Sequence, residues 1–357
     1  MTMEPMSAGD ATEGQDPLRL AVLGVGGIAH WQHLPNLSAL SEQAVIAALV
    51  DRDRGRLAAT AAQYGVSDCY ESLDELLRSS RPVDGVLVLT RPADHASPVL
   101  SLLHAGIPVF CEKPLAYRED EAQDMVETAA ATGTTLMVGY NRRFAATVRA
   151  AKETTLLGRP ELLLAEKSKP TKPGTRLHLL EFASHALDTL LWLAGSEVED
   201  LSAQARMAAD GVTEESLSAL IRFQNGALGV FAMNTQGAHF IERYEAYTDA
   251  ASVLVEYPVR MRRYTREPLP LSADLACRLN APPADRELGQ LDGEPILQLD
   301  SSLCPTDEIA ALGFRAELQQ FIQCIRSGAA PITSGAQALV TQRVAHRIYR
   351  QVGICVP

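Results

Sequence analysis

The turn Gly24-Val25-Gly26-Gly27-Ile28-Ala29 has the residue types needed to hold a phosphate. It follows an apolar run, Leu20–Leu23, and opens a segment of helical period. A first glycine permits a tight turn, a second lets backbone approach a pyrophosphate, and the helix start offers unpaired N–H groups with partial positive charge. The acidic residue that completes the pattern is Asp51, at the end of the run Val45–Val50. A carboxylate there accepts bonds from adenosine ribose hydroxyls and repels a 2′-phosphate, which favours NAD. Arg52 and Arg54 keep NADP open, because a guanidinium can stack on adenine, bind a 2′-phosphate or lie solvated on the surface.

Two further groups could move protons. Lys113 follows the run Pro108–Cys111, between Glu112 and Pro114. Near an oxidised nicotinamide the pKa of an ammonium falls, making it an acid, a base or a donor to the reacting oxygen. Pro114 stiffens this turn, and Glu112 reads as orienting Lys113 or touching the nicotinamide ribose. His185 lies in the helical segment Leu180–Leu193, with Glu181 four residues earlier on the same face as its expected partner. A neutral imidazole takes a hydroxyl proton during alcohol oxidation and returns it during ketone reduction. Asp188 is a further candidate to cap the helix or bond His185. Thr90 and His95 follow the run Val83–Leu89 and are expected to face the cofactor cleft, while Asn141 and Arg142 follow Leu136–Val138 and should join two domains near the nicotinamide. Lys167, Arg176 and Asn234 are candidate substrate contacts; Trp31 and His33 either border the cleft or line a buried helix face.

Positioning these groups needs a particular arrangement of elements. Between Arg19 and Val138, continuous apolar runs alternate with amphipathic segments such as Arg54–Tyr64 and Glu119–Ala131. Strands apolar on both faces are covered on both faces, which predicts a doubly wound parallel sheet over residues 18–141. After Phe144 come two helix-like stretches and a succession of alternating runs from Glu161–Lys167 to Ser252–Tyr257, the pattern of an antiparallel sheet. Residues 142–357 are therefore read as a substrate and oligomerisation domain, closing with helices over Ala310–Ser327 and Ala336–Gln351. Pro268–Pro305 is weakly patterned and reads as a long excursion ordered on assembly. Residues 1–17 read as a disordered tail, with neither the basic start nor the apolar core of a signal peptide.

Composition narrows the partners. A net charge of -12 excludes nucleic acid or an anionic membrane as the main target, since both attract a positive face. No apolar run reaches the ~20 residues of a bilayer span. The six cysteines lack CxxC or metal-type spacing, which points to reduced thiols in a cytoplasm and to no metal site.

The glycine turn, Thr90–His95, Cys111-Glu112-Lys113-Pro114-Leu115-Ala116, Gly139–Phe144 and Ser184–Asp188 together resemble the Gfo/Idh/MocA oxidoreductase family. The resemblance runs over residues 18–350 and is weakest over 258–308. It implies reversible hydride transfer between nicotinamide C4 and a carbinol carbon of a sugar, nucleotide sugar or cyclitol, with Lys113 as acid/base and a cis bond before Pro114. It also implies an α/β second domain whose open sheet lines the active site with one face and builds a homodimer or homotetramer with the other. Two positions depart from the family pattern: Glu181 stands where an aspartate is usual, and the proline after Thr90 is displaced to Pro92. Relatives that retain NAD while cleaving glycosides, and a non-catalytic NAD sensor, are the rival readings.

Overall fold

Six short, largely apolar strands form one parallel sheet: β1 (Leu18–Leu23), β2 (Ala44–Val50), β3 (Cys69–Tyr70), β4 (Gly85–Val88), β5 (Val109–Cys111) and β6 (Leu136–Val138). The structure is a computed structural model that describes residues 16–171, 177–265, 286–291, 294–302 and 312–356. The strand order is β3-β2-β1-β4-β5-β6. Winding reverses between β1 and β4, and doubly wound sheets take their ligands in the crevice this reversal opens beyond the strand C-termini. Helices α1 (Leu34–Ser38), α2 (Arg54–Tyr64), α3 (Leu73–Arg78), α4 (Ala96–His104) and α5 (Glu119–Thr132) connect the strands. Val22, Leu87 and Phe110 are wholly buried, as two-sided cover requires.

The second sheet comprises β7 (Pro160–Ser168), β8 (Val198–Met207), β9 (Glu214–Phe223), β10 (Leu228–Asn234), β11 (Ile241–Thr248), β12 (Ala251–Glu256), β13 (Arg260–Thr265), β14 (Arg286–Leu291) and β15 (Glu294–Ser302). Its order is β14-β15-β13-β12-β11-β7-β10-β9-β8, antiparallel except where β10 lies beside β7. Alternation sends Leu163, Ala165 and Lys167, with Leu217, Ala219 and Ile221, to the buried face beneath α6 (Ala146–Thr155) and α7 (Ser184–Ala194). Leu162, Leu220, Leu228 and Tyr247 point the other way and stay exposed.

The structure departs from or adds to the sequence reading in three places. Arg260–Thr265 is a strand although its arginines disguise the alternation; Met261, Arg263 and Thr265 are its buried positions. Part of the expected excursion is two strands, β14 and β15, which extend the sheet from β13. Long-range pairing, which no local pattern reports, orders them. The boundary after residue 141 separates the two sheets but not the two cores. Helix α8 (Phe314–Ser327) returns to the first sheet, where Leu318, Phe321 and Ile322 pack with Leu20, Leu87 and Phe110. Helix α9 (Gly335–Gln351) serves both sides, placing Ala338 and Leu339 in the first half and Ile348 and Tyr349 in the second. The chain re-enters through Gly313 at φ +91°, where a Cβ would press on the Asn141 carbonyl and come within 2.9 Å of the Ala145 nitrogen. Among the described residues no helix is long and apolar enough to cross a membrane.

Candidate active site

The phosphate turn is built as its residues suggest. Gly24 has φ +92°, and a Cβ there would sit 3.0 Å from the Leu89 carbonyl carbon and the Thr90 nitrogen, so the first turn position must be glycine. That same closeness sets Thr90 beside the turn. A Cβ on Gly27 would meet nothing within 4 Å and one on Gly26 only Arg56, so open space lies over the start of the helix. Gly26, Gly27 and the half-buried Ile28 thus offer the concavity and N–H groups that a dinucleotide phosphate requires, and the residues fit NAD.

Asp51 braces this turn. Its Oδ2 accepts from the Val25 nitrogen at 2.9 Å and its Oδ1 from the Asp53 nitrogen at 2.9 Å, leaving one lone pair on each oxygen for ribose hydroxyls. The guanidinium over the turn belongs to Arg56, which sequence reasoning missed, rather than to Arg52 or Arg54. Arg56 Nη1 lies 3.7 Å from Asp51 and its Nη2 3.0 Å from Asp53, whereas Arg54 points away to Glu71 and Arg52 is exposed. The signal was available: Asp53 caps α2, and the third residue of a capped helix reaches back over its start.

Beyond β5, Glu112 is 6% exposed, its Oε1 2.7 Å from His33 Nε2 and its Oε2 accepting from the Lys113 nitrogen at 3.0 Å. Burial would raise this carboxyl, but the bond and charge of His33 and the charge of Lys113 outweigh it and hold the pKa below the usual range. Gly139 makes the room, since a Cβ there would lie 3.3 Å from the Glu112 carboxyl. His33 is buried, edge-on to Phe110 and Phe314; Trp31 is 64% exposed against the same Phe314. The Lys113–Pro114 bond is cis.

His95 does not face the cleft. Its ring is wholly buried, 3.0 Å from the Pro114 carbonyl and 3.1 Å from that of Thr90, so it staples the loops after β4 and β5 together. The Thr90 hydroxyl donates to the Asp94 carbonyl at 3.3 Å.

The expected Glu181–His185 pair does not form either. Leu179–Ala183 is a π-helical turn leading into α7, and its wider winding breaks the spacing that a regular helix would give. The Glu181 carboxylate accepts from the Tyr117 hydroxyl, and its backbone carbonyl accepts from Lys113 Nζ. Asp188 is likewise taken, by Arg143 at 2.6 and 2.7 Å and by the Thr341 hydroxyl at 2.9 Å. His185 is 7% exposed and perpendicular to the Tyr140 ring, and its Nδ1 has no hydrogen-bond partner. Burial, then the charges of Arg142, Lys113 and Lys167, push its pKa well below the ordinary value, so the ring is neutral at pH 7.

A second polar knot stands against this site. Lys167 on β7 pairs in register with Glu242 on β11, a residue sequence reasoning missed, and its Nζ lies 2.8 Å from Glu242 Oε2. Arg142 grips the same carboxylate with Nε at 2.9 Å and Nη2 at 3.0 Å, and the Tyr244 hydroxyl donates to it at 2.5 Å. Burial opposes the Glu242 charge, but Arg142 and Lys167 prevail and hold its pKa far below normal. Asn141 and Arg142 do join the two sheets, and the Asn141 amide donates to the Leu312 carbonyl at 2.7 Å and accepts from Arg142 at 2.8 Å. Asn234 faces outward, beside a hollow of about 430 Å³ on the far side of the sheet from Lys167. Arg176 lies outside the described residues. Among the described residues no cluster of His, Cys, Asp or Glu could hold a metal.

Comparison with known proteins places this geometry. Residues 18–140 match an oxidoreductase family with an NAD-binding Rossmann fold, and residues 158–254 match the GFO/IDH/MocA C-terminal domain. A putative oxidoreductase, YceM, of Salmonella typhimurium is 30% identical over 93% of this chain and 97% of its own. The chain belongs to the Gfo/Idh/MocA family. It is an NAD-binding oxidoreductase. A myo-inositol 2-dehydrogenase of Thermotoga maritima is 26% identical over 67% of this Gfo/Idh/MocA chain and 75% of its own. In fold, a UDP-N-acetylglucosamine 3-dehydrogenase of Acidithiobacillus ferrooxidans superposes with TM-score 0.77 at 21% identity, covering 94% of this chain and 97% of that one.

Proposed function

We propose that this family member transfers hydride reversibly between NAD and a carbinol carbon of a sugar, nucleotide sugar or cyclitol. The observation that carries the reading is the convergence of two proton-handling groups: Lys113 Nζ is held by the Glu181 carbonyl on the turn that leads directly into His185, and the Lys113 charge is among those that keep the His185 ring neutral. Bound NAD supplies the hydride acceptor. Lys113 handles the hydroxyl proton at Nζ. Burial draws its pKa down and Glu112 draws it back up, so the amine can both accept and return a proton. His185, neutral and buried, orients the substrate hydroxyl through its ring nitrogens instead of serving as a strong base. Glu112 fixes the Lys113 backbone, and Gly24, Gly26, Gly27, Ile28, Thr90 and Asp51 hold the dinucleotide, with Arg56 beside the Asp51 carboxylate. The dehydrogenase relatives support a polyhydroxylated substrate.

We further propose assembly as a homodimer or homotetramer through the outward face of the second sheet, where Leu162, Leu220, Leu228 and Tyr247 lie exposed, to be checked by analytical ultracentrifugation of Leu220→Asp. The unpaired Cys69, Cys111, Cys324 and Cys355 suit a reducing cytoplasm. The decisive test is a panel of sugars and cyclitols, oxidised and reduced, followed at the nicotinamide absorbance with NAD and NADP in parallel. An absorbance change with NAD and at least one polyol is expected. Silence across the whole panel, uronates and sugar phosphates included, would overturn the reading in favour of a glycosidase or a sensor.

A further inference from the structure

Three carboxylates around the site are engaged, and a fourth carboxyl, the buried and unpartnered Glu317, is pushed toward its neutral form by burial and by the charge of Glu112. Glu242 accepts four bonds, from Arg142 twice, Lys167 and Tyr244. Glu181 is held by Tyr117, and Glu112 by His33 and the Lys113 nitrogen. A neutral polyol needs acceptors as well as donors, because each hydroxyl brings a proton to place. This site offers mainly donors. The charges acting on His185 are three cations, Arg142, Lys113 and Lys167, with no anion among them.

Lys167 stands out within that group. It is 2% exposed, with its Nζ 5.1 Å from the Phe182 ring centre and 5.9 Å from that of Phe240. An ammonium has three donors, and among the described residues Glu242 takes one. We infer that the substrate is an anionic polyol whose carboxylate or phosphate docks on Lys167 while its carbinol carbon lies between Lys113 and His185. The inference rests on the hydride-transfer reading and names the class of substrate that site would take. Burial and the neighbouring cations bring the Lys167 pKa down to about 7, against the pull of Glu242. A bound anion restores the charged form, so binding takes up a proton. The sign follows: the gain from the anion is complete below the ligand-free pKa, falls above it and is lost as pH rises through the raised pKa of the complex.

The test uses the intact protein with NAD bound and measures the dissociation constants of D-glucose, D-glucuronate and D-glucose 6-phosphate by calorimetry. At least one anion should bind about tenfold tighter than glucose below pH 7, the effect of one hydrogen bond to a charged group, and the advantage should shrink above that pH. Glucuronate as the tighter ligand identifies a carboxylate, and the phosphate ester identifies a phosphate. Lys167→Met should abolish the preference and Lys167→Arg should retain it, each with NAD affinity unchanged. The inference is overturned if neither anion binds better than glucose, if the preference ignores pH, or if Lys167→Met keeps it. The pH series on the unaltered protein decides should that variant not fold. Anion preference with no absorbance change from the polyol panel, from glucuronate or from glucose 6-phosphate would sink the hydride-transfer reading and leave only the anion subsite standing; turnover of neutral polyols with no anion preference would do the reverse.

Discussion

Residue by residue, the site depends on groups whose partners are already fixed. Lys113→Ala should reduce kcat/KM by about 10²- to 10⁴-fold, the usual contribution of a positioned proton-transfer group, while NAD binding followed by fluorescence titration stays intact. Normal turnover by that variant would remove Lys113 from the mechanism. Asp188→Ala strands the buried Arg143 guanidinium and should cost about 3–5 kcal/mol in urea unfolding. Glu112 and Lys113 were legible in the chain because a short motif at a strand end carries its own geometry. Other residues were not. His95 looked like a cleft residue from its place after β4, but whether a ring points outward or back onto a carbonyl depends on a loop distant in sequence. Glu242 had no local signal at all, since its meaning comes from lying opposite Lys167 in the sheet.

Among the elements, the π-turn at Leu179–Ala183 has the largest effect on chemistry. It turns the Glu181 carboxylate toward Tyr117 and its carbonyl toward Lys113, where a regular helix would have aimed the side chain along the face of His185. A double-mutant cycle on kcat/KM should therefore find coupling between Glu181 and Tyr117 and almost none between Glu181 and His185. The charge of Glu181 raises the Lys113 pKa, so Glu181→Gln should move the limb of the pH profile that reports Lys113 to lower pH; a shift upward would contradict this arrangement. Periodicity cannot reveal such a turn, because one inserted residue in the winding leaves the apolar pattern almost unchanged. Strands with clean alternation, from β7 to β12, were legible for the opposite reason. β13 was obscured by its arginines, and β14 and β15 become strands only through their neighbours.

Across the whole molecule, the parallel order of the first sheet and the antiparallel character of the second were both legible, but the way the chain joins them was not. Contacts between α8 and the first sheet link residues some 300 positions apart, such as Leu20 and Phe321, beyond the reach of any local pattern. A fragment ending at residue 141 would leave Phe110 without Phe321, whose ring lies 5.9 Å away. It should show no cooperative thermal transition by circular dichroism and no NAD binding; a folded fragment would contradict this account. The return of α8 also sets a timetable. Most multi-domain chains let the leading half fold while the rest is still being synthesised. Here the nucleotide-binding half cannot close until α8 has left the ribosome, so a polypeptide terminated before that helix would expose its interior and be marked for proteolysis instead of competing with the finished enzyme for dinucleotide.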